Sequence, residues 1–384
     1  MTLILYLFFI LTNLINAYKK RTSKGLAITT LVFIFILMGG SGVNYLGQND
    51  YVNYKIDYET ASNQGLMDSK EIGYMLLLKF GNILNLDFFT FRLIILGICL
   101  IVIYFGVIKR YSYNSNYILL AYMLYPMIID SEQFRNFIAL TILLYGIRFL
   151  GSYKIKNKIK FLLTIIIASS IHVSFALYIV LLLVDLKNKK ILVKGIALSA
   201  LIFALIVFLN NNQIPFISSI QNLIGVDKFT SYTDKKTEYG FLIPFTLHTF
   251  NFLLALWAKN IIYNKVNSNI TTYEQLNALQ KERTGQSDIS FINMIFYVNI
   301  IGFLFFPLFM TSLHFYRIVR NLMLLNFISY SIVSSYLKKD SALKLLFNLC
   351  ILTSILMWLF LDLFITTSPE RLIYQFFNRN YFLN

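Results

Sequence analysis

Charged residues are scarce in this chain: Asp, Glu, Lys and Arg together make up only 14% of its 384 residues. A soluble domain carries about 25%, so too few ionic side chains are present to clothe a water-facing surface. Cysteine is limited to Cys99 and Cys350, both inside apolar runs. There a thiol reads as a small buried hydrophobe and says nothing about redox compartment. The five prolines sit near segment ends or kinks, and no Pro-rich linker or internal repeat is present. GxxxxGK followed by Ser or Thr, HExxH, CxxC and GxSxG are all missing, so ATP hydrolysis, zinc proteolysis and serine hydrolysis lack their parts. No paired carboxylates of DxD type point to a metal-dependent sugar-nucleotide transferase. The start of the chain has neither a basic leader nor a small-residue cleavage site, and no cleavable signal peptide is expected.

What the chain has is apolar length. Hydrophobic residues make up 57% of it, and apolar runs of about 20 residues, each enough to cross a bilayer, recur throughout. The expected class is an all-α, polytopic integral membrane protein, one transmembrane domain over residues 1–384. About ten full spans are expected near 3–18, 26–46, 88–108, 116–130, 135–151, 191–209, 241–263, 289–312, 315–337 and 342–364. The stretch 160–185 reads either as a single crossing or as two short re-entrant helices meeting at Ser169-Ser170-Ile171-His172.

The net charge of +16 is a matter of topology. With the N-terminus outside and 160–185 paired, 22 of the 34 Lys and Arg residues fall on the cytoplasmic side; a single crossing there gives 18. Cytoplasmic loops are the richer in Lys and Arg, which favours the pair and puts both termini outside. Acidic residues follow the opposite trend, 13 of 18 lying outside. Nucleic acid is not needed to explain the basic balance. The polar connections are an exterior loop with a short amphipathic helix at 47–87, an exterior loop at 210–240 and a cytoplasmic loop at 264–288. Loops of this length are often functional.

The chemistry-bearing residues gather at the exterior ends. Asp130, Glu132, Gln133 and Arg135 head one apolar helix, where they cannot all face lipid, and ionisable groups at membrane depth usually line a cavity. Guanidinium is well shaped for bidentate phosphate binding, although an arginine at a membrane boundary also serves as a snorkelling anchor. His314, Arg317 and Asn321 share a helical face, which Arg320 borders; an interfacial belt with Phe315 and Tyr316 is the plainer reading. In Asn49–Glu59, Asp50, Tyr54 and Asp57 share a face with Tyr51 and Tyr58 close by. Rings and carboxylates suit sugars, and tyrosine also favours the interface for its own sake. Glu71 reads as a general base or as an acid favoured by a helix dipole. His172, in the turn of the paired helices, reads as structural or as lining a wet cavity. His248 reads as structural.

Taken in order, Asp50 and Tyr54, Glu71-x-Gly73-Tyr74, Arg135-x-x-Ile138-Ala139, Ile171-His172-x-Ser174 and Phe315-Tyr316-Arg317 resemble the pattern of the EpsG-like, Wzy-type bacterial polysaccharide polymerases. The pattern spreads over most of the chain; here the element around His172 lacks a proline after the histidine. The resemblance implies a GT-C-like membrane glycosyltransferase in the bacterial cytoplasmic membrane, making capsular or exopolysaccharide. Its partners would be undecaprenyl-pyrophosphate-linked oligosaccharide, membrane lipid, and chain-length regulator and flippase proteins. The implied reaction joins one glycan to the non-reducing end of another lipid-linked repeat and releases undecaprenyl pyrophosphate. On that reading Arg135, Arg317 and Arg320 hold the diphosphate, with Gln133, Tyr54, Tyr74, His314 and Tyr316 in the substrate site. The base is Glu71, Asp50 or His172, and neither metal nor cofactor is required, since arginines can neutralise the leaving group. A flippase for the same unit would need a polar path across the whole bilayer and usually shows inverted repeats. An O-acyltransferase would need a catalytic His served from the cytoplasm, whereas His172 and His314 read as exterior.

Overall fold

The computed structural model describes residues 1–19, 22–44, 49–65, 71–152, 154–212, 239–268, 287–338 and 341–383, and among these every regular element is helical. In chain order they are α1 (Thr2–Ala17), α2 (Lys24–Gly40), α3 (Asp50–Thr60), α4 (Ile72–Ile83), α5 (Phe88–Tyr111), α6 (Ser115–Leu124), α7 (Met127–Glu132), α8 (Phe134–Gly146), α9 (Ile155–Ile171), α10 (Val173–Asp185, a 3-10 helix), α11 (Lys189–Leu209), α12 (Leu242–Ser268), α13 (Asp288–Thr311), α14 (Leu313–Tyr336), α15 (Ala342–Thr366) and α16 (Glu370–Asn378). Most of the two loops expected at 210–240 and 264–288 lies outside the described residues.

Among the described residues five helices, α5, α11, α13, α14 and α15, are long and apolar enough to cross a membrane, and five others are apolar but shorter. The ten spans read from the sequence are therefore only partly matched by long helices. One reason is visible at 116–146, where apolar residues run on but the backbone does not: Tyr125 is extended and Pro126 precedes the six-residue α7. Proline removes a helix donor and clashes with the preceding turn.

Burial separates centre from periphery. The apolar window of α14 is 100% buried, that of α11 only 17%, so α14 is the axis of the bundle and α11 shows its Leu198, Leu201, Leu205 and Phe208 to the outside. In lipid such exposure carries no penalty, and cohesion between helices comes from close packing and interhelical hydrogen bonds. Those bonds are present. Asn13 Nδ2 donates to Thr30 at 2.8 Å and its Oδ1 accepts from Asn116 at 3.0 Å, tying α1, α2 and α6. Asn299 and Asn326 exchange bonds between α13 and α14, and Asn136 and Asn321 do so between α8 and α14. Each such bond contributes on the order of 0.6 kcal/mol. His248, expected to be structural, is buried with Nε2 2.9 Å from the Asn299 carbonyl.

The stretch 160–185 is not one helix. It breaks at His172, whose extended backbone (φ −146°, ψ 112°) ends α9 and begins α10. At about 1.5 Å rise per residue α9 is about 25 Å long, and at about 2.0 Å the 3-10 helix α10 is about 26 Å. The two halves are thus longer than short re-entrant helices. Two arms folded about His172 return the chain to the face it left, which is the topology that the Lys and Arg distribution favours. A reporter fused after Lys190 is expected to give a cytoplasmic signal; an exterior signal there would invert the assignment of every later loop.

Three devices build the end of the bundle that matters for function. Asn49 caps α3, its side chain accepting from Val52 N–H at 2.9 Å and donating to the Gly42 carbonyl at 2.9 Å. Gly42 has φ +81°, a left-handed conformation that glycine adopts without steric cost. The chain after α16 is fastened to α2 by Asn380 Nδ2 on the Leu37 carbonyl and Tyr381 N–H on the Gly40 carbonyl, both 2.9 Å. Finally, α4 passes close to the end of α9 at Gly73, where a Cβ would lie 2.2 Å from Ser170 Oγ.

Candidate functional site

Glu71 immediately precedes α4 but makes no cap hydrogen bond with its side chain. Its carboxylate reaches across the fold instead. Oε2 is 2.5 Å from Arg135 Nη1, and Oε1 accepts from the Val173 N–H at 3.1 Å. His172 Nδ1 lies 3.6 Å from the same Oε1 and 3.2 Å from Ser174 Oγ. The close passage at Gly73 brings these groups together: Glu71 and Tyr74 ride on α4, while His172 sits where α9 turns into α10. Arg135, in the first turn of α8, stacks its guanidinium 5.4 Å from the centre of the Tyr74 ring and 6.0 Å from that of Tyr54. The Tyr74 hydroxyl is buried with no hydrogen-bond partner among the described residues.

A second cluster adjoins the first through α3. Asp50 Oδ1 accepts from Arg371 Nη2 at 3.1 Å, and Glu132 Oε1 accepts from Arg371 Nε at 2.6 Å. Arg371 comes from α16, held over α2 and α3 by the fasteners at Asn49 and Asn380. Burial pushes the Glu132 carboxyl up to about 7, against the pull of Arg371. Arg317, at the head of α14, lies near both clusters. Its charge acts on the Tyr54 hydroxyl, as does that of Arg135, and on the Glu132 carboxylate. Arg135 is paired with Glu71, and Arg371 with Asp50 and Glu132. Arg317 has no carboxylate within ion-pair distance among the described residues, and its Nε is buried without a partner. Of the three guanidinium groups whose charges act on Tyr54 or Glu132, from α8, α14 and α16, Arg317 alone lacks a protein anion among the described residues.

Arg320 departs from its expected place. Its side chain is 0% exposed; Nη2 donates to Gln133 Oε1 at 2.6 Å and Nη1 is 3.7 Å from Asp362 Oδ2. Tyr316 is buried with it and gives its hydroxyl to Asp362, as does Tyr125. Neither Arg320 nor Tyr316 reaches the mouth. His314, on the 3-10 turn that opens α14, is partly exposed. Gln133 faces both ways: its oxygen is fixed by Arg320, and its amide nitrogen makes no hydrogen bond among the described residues.

Sequence reading passed over two of these residues. Arg371 follows the last long span in a stretch without a recognisable motif, and its partners lie 321 and 239 residues away. Asp362, counted as an exterior acid, is buried on Arg320. The signal that could have found it is an aspartate inside an apolar run, which calls for a partner cation. Among the described residues no group of three His, Cys, Asp or Glu side chains is placed to hold a metal ion.

The sequence profile of the EpsG family matches residues 26–378, nearly the whole chain. The chain belongs to the EpsG family. No curated protein matches it, and no solved structure does. EpsG membership, with the long apolar helices, makes this a multi-pass membrane protein of a family associated with polysaccharide polymerisation. The elements by which the sequence resembled the family fall into the EpsG chain's paired clusters: Asp50 and Tyr54 on α3, Glu71 and Tyr74 on α4, Arg135 on α8, His172 at the break, and Arg317 on α14.

Proposed function

We propose that this chain polymerises undecaprenyl-pyrophosphate-linked oligosaccharide repeats at the outer face of the bacterial cytoplasmic membrane, yielding capsular or exopolysaccharide. The observation that carries the reading is Arg317, a guanidinium with no carboxylate partner among the described residues, whose charge acts on Tyr54 alongside that of Arg135 and on Glu132 alongside that of Arg371. An uncompensated cation in a partly buried site is stabilised by an anionic ligand, and guanidinium binds phosphate oxygens in bidentate fashion. The N-terminus of α8, beside Arg135, adds the positive end of a helix dipole.

The chemistry asked of the site is glycosyl transfer. An acceptor hydroxyl oxygen bonds to the anomeric carbon of the donor sugar and gives up its proton to a base. The bond from that carbon to the diphosphate breaks, and undecaprenyl pyrophosphate leaves with the bonding electrons. Charge develops on the leaving diphosphate, where Arg317 and Arg135 stabilise it without a metal ion. The rings of Tyr54 and Tyr74 lie side by side against the Arg135 guanidinium, and Glu71 fixes its direction. Arg320, with Gln133 and Asp362, supports this arrangement from below. Partners for such a reaction are the flippase that delivers the repeats and a protein that sets chain length.

The test is the surface glycan of a deletion strain carrying the wild-type chain or an Arg135→Ala variant, resolved by length on a gel. Polymer from the wild type and single lipid-linked repeats from the variant are expected. Repeats accumulating inside the cell would assign the chain to transport instead, and normal polymer length from the variant would remove Arg135 from the site.

A further inference from the structure

The inner end of α5 carries an arrangement that glycosyl transfer at the outer mouth does not use. Cations from three helices meet there: Lys109 and Arg110 at the end of α5, Arg148 just beyond α8, and Lys160 in the second turn of α9. Arg148 is held in one direction. Its Nη2 donates to the Gly106 carbonyl at 3.0 Å and its Nε to the Tyr145 carbonyl at 2.9 Å, with the guanidinium 3.4 Å from the centre of the Tyr145 ring. Nη1 makes no hydrogen bond among the described residues. Lys109 and Lys160 lie over Phe105 and Phe149, 5.1 and 5.5 Å from the ring centres. Neither Arg148 nor Lys160 has a carboxylate within ion-pair distance among the described residues. Asp185, at the end of α10, spends Oδ1 on the Gly151 N–H, and the cations acting on it are Lys158 and Lys189. The charge of Arg110 acts against that of Arg148, a repulsion that an anion between them would relieve.

An apolar track leads up to the cluster. Ile94, Ile98, Ile101 and Phe105 are all exposed on α5 and recur at helical spacing, with Lys109 next on the same face. From Ile94 to Phe105 the track runs about 16 Å at about 1.5 Å per residue. One leaflet of a bilayer has a hydrocarbon depth of about 15 Å, so the track matches an acyl chain and the cluster at its end sits at headgroup level.

We infer that the seam between the inner ends of α5 and α8 binds an anionic phospholipid, with Arg148, Lys109 and Lys160 receiving the phosphodiester headgroup and one acyl chain lying along the exposed face of α5. The inference goes beyond the polymerase reading and does not depend on it. Basic pockets between transmembrane helices select anionic headgroups, and a guanidinium held by two carbonyls meets a phosphate at no cost in rotamer freedom. A zwitterionic headgroup would bring its own cation to a cluster that is already positive. A free phosphate ion would satisfy the cations but leave the apolar track unused, which favours the lipid over the ion. Arg148 lies at the opposite end of α8 from Arg135, so a bound lipid joins the inner end of that helix to α5 and α9.

The test places the full chain in nanodiscs of phosphatidylcholine with rising phosphatidylglycerol and counts the lipids that stay on the released protein by native mass spectrometry. Retained phosphatidylglycerol is expected in the wild type. Lys109→Gln and Lys160→Gln change exposed side chains, so the fold survives them. Each should weaken phosphatidylglycerol about fivefold, and both together about 25-fold. Arg148→Gln should lose at least as much, and Arg148→Lys should recover part of it. Lys190→Gln with Lys194→Gln removes the same charge from the same side by the Lys and Arg count, also at exposed positions, and should leave retention unchanged. Equal losses from the two lysine pairs would mean a diffuse field and overturn the site. Phosphatidylcholine retained as well as phosphatidylglycerol would overturn it too. Added inorganic phosphate should not displace the lipid; full displacement would assign the cluster to a free anion and end the lipid assignment.

Discussion

Arg317→Ala is expected to stop chain growth, lowering the polymerisation rate by at least about 10²-fold and leaving single lipid-linked repeats. Removing one preorganised donor from a developing oxyanion typically costs about 10²–10³-fold, and Arg317 brings a full charge. Arg317→Lys should recover only part, because an ammonium cannot reproduce a planar two-point grip on phosphate. Binding of inorganic pyrophosphate to the purified protein, followed by calorimetry, should fall in parallel with the rate. Arg135→Ala has a second consequence, since it exposes the Glu71 carboxylate beside the anion site with its partner gone. Adding Glu71→Gln to Arg135→Ala should therefore restore some pyrophosphate binding. Unchanged polymer length and pyrophosphate affinity in Arg317→Ala would remove the central arginine from the account.

The largest effect on stability is expected at Asp362. This carboxylate compensates Arg320, whose side chain is wholly buried, and also collects the hydroxyls of Tyr125 and Tyr316. Asp362→Ala would leave an uncompensated charge in the interior, a loss of about 3–5 kcal/mol. Replacing both members, Asp362→Leu with Arg320→Met, should be far less damaging, because an apolar pair of similar volume is often tolerated where half a pair is not. Thermal unfolding in detergent, compared between the single and double variants, measures the difference. A single variant as stable as the wild type would mean that Arg320 finds another anion.

Much of the site could be read from the sequence because helical periodicity is local. Asp50 with Tyr54, Glu71 with Tyr74, and Arg135 at a helix head are short-range patterns, and the structure keeps each on a single element. What periodicity does not carry is which helix faces which. Arg317 and Arg320 look equivalent in sequence, yet only Arg320 is wholly buried and paired with Asp362 on α15. Arg371 was invisible for a related reason. Its role is created by the return of α16 over α2 and α3, a path fixed by amides at Asn49, Gln375 and Asn380 and not by any apolar rhythm. The span count suffered where apolar residues continued past a backbone break, at Tyr125-Pro126. Hydropathy records the solvent that a segment prefers; it does not record where hydrogen bonding along the segment is interrupted.

The contact at Gly73 has a reach beyond its own turn. Because nothing larger than hydrogen fits against Ser170 there, one absent methyl group sets the spacing between the carboxylate on α4 and the backbone amide and imidazole on the facing arm. Alignment of three polar groups drawn from residues 71, 172 and 173 is thus delegated to a position that carries no functional group at all.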